Sequence, residues 1–345
     1  MQSIRNIDVK GKRVLVRCDF NEPLDNSGAL LDDFRIKKSL PTIQYLLEHS
    51  AKIILMSHLG DPGGKPVEHL TLKTVKETLE KLLEKKISYA SDCIGLDARA
   101  SVQALQDGEI LLLENLRFHA QEEVNNAEFA HQLAMLGEIY VNDAFSVCHR
   151  AHASVVGVPQ FLPSAMGFLL EQELEQLEKV RHNPLRPFIV IVGGVKVETK
   201  AAFIEKISHS ADEVLVSGLI KKELQEKYPD ILKNGNIIGP HENLDSMDIS
   251  SETQEIFKQK IMNAKTVVWN GPVGKFEDKE HSAGTSAVAH AIIQSGAFSL
   301  VGGGETIEFL HQSGLMEEFS WVSTGGGAML DYISGQELPG LKALL

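Results

Sequence analysis

Short apolar runs alternate with longer amphipathic stretches along most of the chain. In the first half, the apolar runs predict strands at Arg13 to Arg17, Lys52 to Met56, Glu109 to Leu113 and Glu138 to Val141. Apolar residues at helical spacing predict helices between them, at Ile36 to Glu48, Leu72 to Lys85 and Asn126 to Leu136. In the second half the same pattern predicts strands at Phe188 to Val192, Glu213 to Val216, Thr266 to Trp269, Ser299 to Val301 and Trp321 to Ser323. Strands that alternate with helices are typical of parallel sheets, so we expect an α/β fold with two open doubly wound parallel-sheet domains.

The segment Phe168 to Arg181 lies between the two sets of strands. Acidic residues cover one side of it, and leucines recur at helical spacing on the other, at Leu169, Leu170, Leu174 and Leu177. Asn183 precedes Pro184, a position that disfavours helical backbone. We therefore expect a first domain over residues 1–167, a hinge helix over 168–183 and a second domain that begins at 184. An ordinary surface helix inside one domain is the alternative.

Composition excludes several classes of protein. Of the 345 residues 43% are apolar and 23% are charged, which is ordinary globular usage. No apolar stretch approaches the ~20 residues that span a bilayer, and the polar N-terminus lacks a signal core. Cys18, Cys93 and Cys148 form no CxxC pair, which favours a reducing, cytoplasmic compartment. The net charge of −13 disfavours nucleic-acid and membrane partners, and we expect a monomer.

Polar and cationic side chains follow the predicted strands of the first half: Arg17, Asp19, Asn21, Arg35, His58, Arg117, His149, Arg150 and His152. Because the carboxyl ends of parallel strands meet at one edge of a sheet, these residues should converge. The guanidinium group binds phosphate or carboxylate through paired hydrogen bonds, so the four arginines predict a site for a small phosphorylated acid. Solvated surface arginines are the alternative. For the two later histidines we favour an anion contact or a structural role over a metal pair, since nothing nearby completes a ligand set.

Glycines follow the predicted strands of the second half, at Gly193–Gly194, Gly271, Gly302–Gly304 and Gly325–Gly327. Bare backbone at the start of a helix favours phosphate oxygens, which predicts a nucleotide cleft, although glycines also serve tight turns. Neither the P-loop nor the dinucleotide fingerprint occurs, which disfavours a dehydrogenase. Lys196 and Lys200 share one helix face where both could reach a polyphosphate, unless they face solvent. Glu305 could bind Mg²⁺ or cap its helix.

Long motifs then occur in a specific order: VLVRCDFNEPL, DDFRI, MSHLG, LLLENLRFH, VNDAFSVCHRAHAS, IVGGVKVETK, VVWNGPVGKFE, VGGGE and STGGGA. Through them the sequence resembles the phosphoglycerate kinase family over most of its length. The resemblance implies a two-domain, hinge-bending enzyme of glycolysis and gluconeogenesis. Such an enzyme transfers phosphate reversibly between 1,3-bisphosphoglycerate and MgADP, giving 3-phosphoglycerate and MgATP. It also implies that residues 1–167 bind the triose, that 184–335 bind the nucleotide and that 336–345 return to the first domain.

The same resemblance implies roles for individual residues. Arg35 and Lys196 would be catalytic, and Glu305 would bind Mg²⁺. The triose would be bound by Asp19, Asn21, Arg35, His58, Arg117 and Arg150. The nucleotide would be bound by Gly194, Lys200, Gly218, Asn270, Pro272, Glu277, Gly302, Gly303, Gly304, Glu305, Thr306, Gly325, Gly326 and Gly327.

The sequence departs from the family pattern at four places. Asp61 replaces the usual arginine at the rim of the triose site, and Thr199 and Glu305 each replace an aspartate. Leu219 to Lys265, which in the family helps to wall the adenine pocket, is much shorter. These departures leave a second hypothesis, a catalytically impaired paralogue that acts as a binding or regulatory protein.

Overall fold

The computed structural model describes residues 1–25, 27–195 and 197–345. The chain forms two compact units, Met1–Leu174 with Glu337–Leu345, and Glu175–Gln336. Among the described residues, no helix is long and apolar enough to span a membrane.

The first unit is built on a parallel sheet. Residues 1–25 and 27–174 contain six strands, β1 (Arg13–Arg17), β2 (Lys52–Met56), β3 (Ser88–Tyr89), β4 (Ile110–Leu112), β5 (Ile139–Asn142) and β6 (Ser164–Met166). Their order across the sheet is β3-β4-β2-β1-β5-β6. The helices of this unit are α1 (Phe34–Glu48), α2 (Lys73–Leu83), α3 (Gly95–Ala104), α4 (Ala120–Glu123), α5 (Ala127–Ala134) and, near the C-terminus, α13 (Pro339–Lys342). Val14, Leu15 and Val16 of β1 are all fully buried, as expected for a strand covered on both faces.

The second unit repeats this architecture. Residues 175–195 and 197–336 contain the strands β7 (Phe188–Val192), β8 (Glu213–Val216), β9 (Ile237–Ile238), β10 (Thr266–Asn270), β11 (Phe298–Gly302) and β12 (Trp321–Ser323). They pair in parallel in the order β12-β11-β10-β7-β8-β9. The helices are α7 (Val197–Ser208), α8 (Gly218–Lys227), α9 (Ser251–Met262), α10 (Ala283–Ser295), α11 (Gly304–Gln312) and α12 (Gly327–Ile333). Trp269 of β10 is the largest fully buried side chain.

These two sheets confirm the predicted α/β class and its two doubly wound sheets. The predicted strands are present, with differences of at most one residue at their ends. The sequence analysis missed β3, β6 and β9, which are edge strands of two or three residues, and it missed α3. Runs this short carry no periodicity to detect, and α3 buries only Ala98 and Val102.

The helix α6 (Phe168–Arg181) contains the division between the units, at Leu174 and Glu175. In its first part, the Arg5 guanidinium lies 4.1 Å from the centroid of the Phe168 ring and its Nη1 lies 2.8 Å from Glu171 Oε2. In its last part, the Arg181 guanidinium lies 4.5 Å from the Tyr332 ring centroid. Each half is therefore anchored within its own unit, and a hinge role for the helix remains a prediction.

A buried carboxylate anchors the start of α6. Asp143 Oδ1 accepts hydrogen bonds from Leu169 N–H and from Thr42 Oγ1–H, both at 2.9 Å, and Thr42 Oγ1 accepts one from Phe168 N–H at 2.8 Å. Burial raises the pKa of Asp143 to about 8. A Cβ placed on Gly167 would lie only 2.1 Å from Asp143 Oδ1, so the anchor requires glycine at this position.

We expect Gly167→Ala to lower the free energy of unfolding of the first unit by about 3 kcal/mol, because the new methyl displaces the anchoring carboxylate. Gly108→Ala is the matched control: its backbone is left-handed, at φ +73°, but nothing lies within 4 Å, so about 1 kcal/mol is expected. Urea unfolding followed by circular dichroism measures both. Equal losses in the two variants would contradict the assigned contact.

Candidate functional site

Each sheet has one place where the winding of the chain changes direction. In the first unit β1 leads to β2 on one side, whereas its other neighbour, β5, leads to β6 on the opposite side. In the second unit the corresponding neighbours are β7 and β10. Ligands of open α/β sheets bind beyond the carboxyl ends of the strands at such switch points. The predicted polar residues of the first half and the predicted glycines of the second half lie beyond the carboxyl ends of these strands or of other strands in the same sheet.

Arg35 opens α1 and is held by two acidic side chains. Its Nε lies 3.4 Å from Asp19 Oδ2 and its Nη1 lies 3.6 Å from Glu22 Oε2. Glu22 Oε1 also accepts a hydrogen bond from the Arg35 backbone N–H at 2.6 Å, so it orients the helix start. Burial raises the pKa of Glu22 to about 8, although the Arg35 charge opposes this. Asn21 Oδ1 accepts a hydrogen bond from Gly60 N–H at 2.7 Å, which joins the loops after β1 and β2.

Arg117 is buried and keeps unused donor capacity. Its Nη1–H donates to Gly60 O at 2.8 Å and its Nε lies 3.2 Å from Glu123 Oε1. Its Nη2 has no hydrogen-bond partner among the described residues. Burial and the nearby Arg150 charge lower the pKa of Arg117, whereas Glu123 and the exposed Asp61 raise it. A buried guanidinium with an unused donor, close to a second, exposed arginine, is suited to binding an anion.

Two buried histidines of the first unit, His58 and His152, favour the neutral state. Burial, followed by the charge of Arg17, holds the pKa of His58 well below its ordinary range. Burial, followed by the charge of Arg117, lowers the pKa of His152 to about 3. Among the described residues, a cluster able to hold a metal is formed by Asp92, Cys93 and His119, and it includes neither His149 nor His152.

The prediction that Arg17 binds the anion directly is wrong. Its side chain is fully buried, and its Nη2–H donates to His58 Nδ1 at 3.2 Å. A basic residue at a strand end has the same sequence pattern whether it points into a site or into the core. Arg17 therefore lies beneath the other cations and contacts the site through a neighbour.

The glycines of the second unit allow an unusually close approach of two backbone segments. Gly193 N–H donates to Asn270 O at 3.0 Å and Gly194 N–H donates to Pro272 O at 2.7 Å. Gly271 has a φ of +91°, and a Cβ there would lie 2.2 Å from Gly193 O. No side chain fits at this position, so the switch point of this sheet is lined by bare backbone.

A cavity of about 440 Å³ opens at this point. Five of the predicted nucleotide-binding residues line it: Gly194, Gly218, Pro272, Glu277 and Glu305. The others lie outside the lining: Lys200, Asn270, Gly302, Gly303, Gly304, Thr306, Gly325, Gly326 and Gly327. Some of these support the loops, since Thr306 is fully buried and its Oγ1 accepts a hydrogen bond from Gly271 N–H at 2.8 Å.

Opposite charges flank the backbone of Gly194. A Cβ on this glycine would lie 2.7 Å from Lys200 Nζ and 3.1 Å from Glu305 Oε2. Lys200 is largely buried, and its ammonium donates to Gly193 O. The arrangement brings a cation and a carboxylate to the same edge of the cavity. Lys196 lies outside the described residues, so its role stays a prediction.

The shortened segment still contributes to the cavity, which the sequence analysis did not predict. The additional lining residues are Val195, Ser217, Leu219, Asp245, Ser246, Met247, Val273, Gly274 and Lys275. Lys275 N–H donates to Met247 O at 2.7 Å, and Asp248 Oδ2 accepts a hydrogen bond from Gly284 N–H at 2.8 Å. A Cβ on Gly274 would lie 2.1 Å from Asp248 Oδ1, so glycine makes room for this carboxylate. Through these contacts the shortened segment packs against the loop after β10.

Comparison with known proteins finds one family. A sequence model described as phosphoglycerate kinase matches residues 4–228 and 221–336. The phosphoglycerate kinase of Herpetosiphon aurantiacus is 41% identical over 388 residues, which cover 99% of this chain and 98% of that protein. That of Chlorobium phaeobacteroides is 41% identical over 392 residues, which cover 99% of each.

Solved structures are similar over the same length. The phosphoglycerate kinase of Pyrococcus horikoshii aligns with a TM-score of 0.89 and 32% identity, over 100% of this chain and 98% of that one. The phosphoglycerate kinase of Coxiella burnetii aligns with a TM-score of 0.83 and 33% identity, over 99% of this chain and 98% of that one. The sequence alignments are longer than this chain, and the family match breaks near residues 221–228, at the start of the shortened segment.

We expect Gly271→Ala to weaken the binding of inorganic triphosphate to this protein at least about tenfold, or about 1.4 kcal/mol. The new methyl collides with Gly193 O and strains a left-handed backbone. The matched control is Gly296→Ala, which has a φ of +65° but open space around it. Isothermal titration calorimetry on folded variants compares them, and wild-type affinity in Gly271→Ala would contradict the geometry.

Proposed function

The chain belongs to the phosphoglycerate kinase family, and we propose that it binds the triose on its first unit and the nucleotide on its second. It is a phosphotransferase with a carboxyl group as acceptor. In the proposed reaction a phosphoryl group passes reversibly between 1,3-bisphosphoglycerate and ADP, giving 3-phosphoglycerate and ATP. The observation that carries the triose assignment is the buried Arg117, which is held against the loop after β2 through Gly60 O and keeps an unused Nη2 donor.

Phosphoryl transfer depends on positioning and on charge neutralisation more than on covalent catalysis. The carboxylate of 3-phosphoglycerate is itself the nucleophile when ATP is consumed, so no protein nucleophile is required. Arg35, Arg117 and Arg150 would neutralise the triose anion, with His58, Asp19 and Asn21 completing its site. Arg35 is assigned to the reacting end because two acidic residues fix its guanidinium at the start of α1.

On the second unit, the backbone of Gly194, Gly218 and Pro272 would contact the nucleotide, with Lys200 close to its phosphates and Glu277 at the ribose. Val195, Leu219 and Met247 present exposed apolar surface to the same cavity. Asn270, Gly302–Gly304, Thr306 and Gly325–Gly327 would shape the phosphate side. Lys196 would stabilise the phosphoryl group in transit, a role assigned from the family motif.

The residues present fit a Mg²⁺ ion that arrives with the nucleotide. Mg²⁺ keeps several waters and is usually held by one or two carboxylates together with substrate phosphates. Glu305 supplies one carboxylate at the cavity, beside Gly194. When bound, Mg²⁺ neutralises developing charge on the phosphate oxygens.

We place this enzyme in glycolysis and gluconeogenesis, acting in the cytoplasm as a monomer without nucleic-acid or membrane partners. The net charge of −13 supports the absence of polyanionic partners. The alternative of an impaired binding protein rests on Asp61, Thr199 and Glu305. Arg35 is half-buried and Arg117 is buried, and acidic neighbours orient both guanidinium groups, which favours an active enzyme.

We expect the pure protein to turn over 3-phosphoglycerate with ATP and Mg²⁺, measured by a coupled assay. Arg35→Ala should lower kcat/KM about a hundredfold, because a lost charged contact costs about 1.5–3 kcal/mol. Arg13→Ala is the control, since Arg13 is an exposed partner of Glu138. If the wild-type protein is no faster than a folded Lys196→Ala variant, the kinase activity is refuted. If Arg35→Ala keeps a rate near that of the wild-type protein, the role of Arg35 is refuted.

For the metal, we expect Glu305→Gln to require about tenfold more Mg²⁺ for half-maximal rate, and Glu305→Asp to stay close to wild type. The control is Glu308→Gln, on the same helix, where Glu308 accepts a hydrogen bond from Gln312. The measurement is the reaction rate of each variant as a function of Mg²⁺ concentration. An unchanged Mg²⁺ requirement in Glu305→Gln would leave Glu305 as a helix-capping residue.

The apolar side of the cavity motivates a prediction about the base. Val195, Leu219 and Met247 can contact any purine face but cannot distinguish exocyclic groups, so ATP and GTP should give kcat/KM values within about tenfold. Steady-state kinetics with both nucleotides measures this. A preference above about a hundredfold, near 2.7 kcal/mol, would mean that polar residues of the cavity read the base.

A further inference from the structure

Arg17 lies at the centre of a buried hydrogen-bond chain in the first unit. Its guanidinium is 0% exposed, and its Nη2–H donates to His58 Nδ1 at 3.2 Å. Its Nε–H donates to Ser154 Oγ at 2.9 Å and its Nη1–H donates to the carbonyl oxygen of Cys18. All three nitrogens of the guanidinium are therefore used inside the protein.

Arg17 determines which group donates and which accepts in each hydrogen bond of this buried network. A guanidinium carries only donors, so the Ser154 hydroxyl must accept from it and send its own proton onward. Glu122 Oε1 accepts the hydrogen bond that the Ser154 hydroxyl donates, at 2.5 Å, and Glu122 Oε2 accepts one from Ser154 N–H at 2.9 Å. Glu122 is also 0% exposed, and burial raises its pKa, whereas the Arg17 charge and the two Ser154 hydrogen bonds lower it. Ionised Glu122 is therefore the counter-charge of the buried Arg17.

The same rule determines the state of His58. Because Arg17 can only donate, His58 Nδ1 must be the acceptor, and the single proton of the neutral ring must lie on Nε2. Among the described residues, no protein group is hydrogen-bonded to Nε2. A second proton on the ring would oppose the charges of Arg17, Arg117 and Arg150, and the neutral His152 lies beside them.

We propose that Arg17 is a positioning residue, which holds His58 as a neutral imidazole with its proton on Nε2 and so makes it an uncharged hydrogen-bond donor to the anionic ligand. The identity of that ligand as 3-phosphoglycerate rests on the proposed function. The opposite tautomer would direct an Nδ1–H at the Arg17 donor and would present the Nε2 lone pair to the anion. Arg17 thus determines what His58 can bind, although it does not reach the ligand.

The direct test is the protonation state of the ring, read from two-bond ¹H–¹⁵N correlations of ¹⁵N-histidine protein, with a His58→Gln spectrum to identify the signals. We expect the proton on Nε2 throughout the range from about pH 5 to about pH 8. A proton on Nδ1, or a doubly protonated ring at neutral pH, would overturn the proposal. This readout does not depend on kinase activity, so absent turnover with the expected tautomer would refute only the proposed function.

The variant test removes both buried charges at once, since removing Arg17 alone leaves Glu122 uncompensated. In the double variant Arg17→Met, Glu122→Gln, we expect mixed tautomers of His58 and a Kd for 3-phosphoglycerate raised about tenfold to a hundredfold. The Kd for ATP should be unchanged. Arg99→Met makes the same substitution in the same unit and should alter neither property.

Two results of this variant test would overturn the proposal. A folded double variant in which His58 still carries its proton only on Nε2 would show that Arg17 does not determine the tautomer. A double variant with mixed tautomers and an unchanged Kd for 3-phosphoglycerate would show that His58 does not donate to the ligand. If the double variant unfolds, Ser154→Ala is measured instead; it removes the hydroxyl group between Arg17 and Glu122 and leaves the contact between Arg17 and His58 in place. It should show the same changes to a smaller extent, and a wild-type spectrum and Kd would overturn the proposal.

Discussion

The separation of two neighbouring strand ends, where the chain winds away in opposite directions, is the constraint on which both sites depend. Parallel strands direct their last carbonyls and the following helix starts to one edge of the sheet, and only the switch point leaves a crevice there. The second unit fills its crevice with backbone: a Cβ on Gly193 or Gly271 would lie within 2.2 Å of a carbonyl oxygen. The first unit fills its crevice with side chains. The same topology thus produces a crevice of bare backbone in one unit and a cluster of polar and cationic side chains in the other.

Buried charge shapes the first unit in a further way. Arg17 is fully buried and is linked through Ser154 to the fully buried Glu122, and Arg117 is buried against Gly60 O. Burying ions is costly unless they are paired and hydrogen-bonded, and this network meets the requirement through Ser154 and backbone carbonyls. Burial, together with the charges of the nearby arginines, disfavours a further cation, so His58 and His152 remain neutral. A chain that is acidic overall can in this way bury a local cluster of cations.

The sequence was informative where one periodicity extended over several residues. Phe188–Val192 is buried at every position and reads as a continuous apolar run, which is typical of a central parallel strand. Ser88–Tyr89 has no such signal, because two residues are too few to show a periodicity, and this edge strand forms only through its pairing with β4. Candidate site residues could be proposed from the sequence because they follow strands, whereas the burial of Arg17 depends on tertiary packing. Met247 enters the cavity from a loop held by Asp248, a contact that no local pattern indicates.

The replacement of an arginine by Asp61 can be weighed against the contacts that remain. Asp61 is exposed, and an exposed charge changes an interaction by about 0–1 kcal/mol because water and salt screen it. Arg117 is buried, and a hydrogen bond from it to a charged ligand contributes about 1.5–3 kcal/mol. Asp61 also raises the pKa of Arg117, which favours the charged form of that guanidinium. The substitution therefore weakens the long-range attraction of an anion to the rim more than it weakens the anion's final contacts, so its effect falls mainly on the association rate.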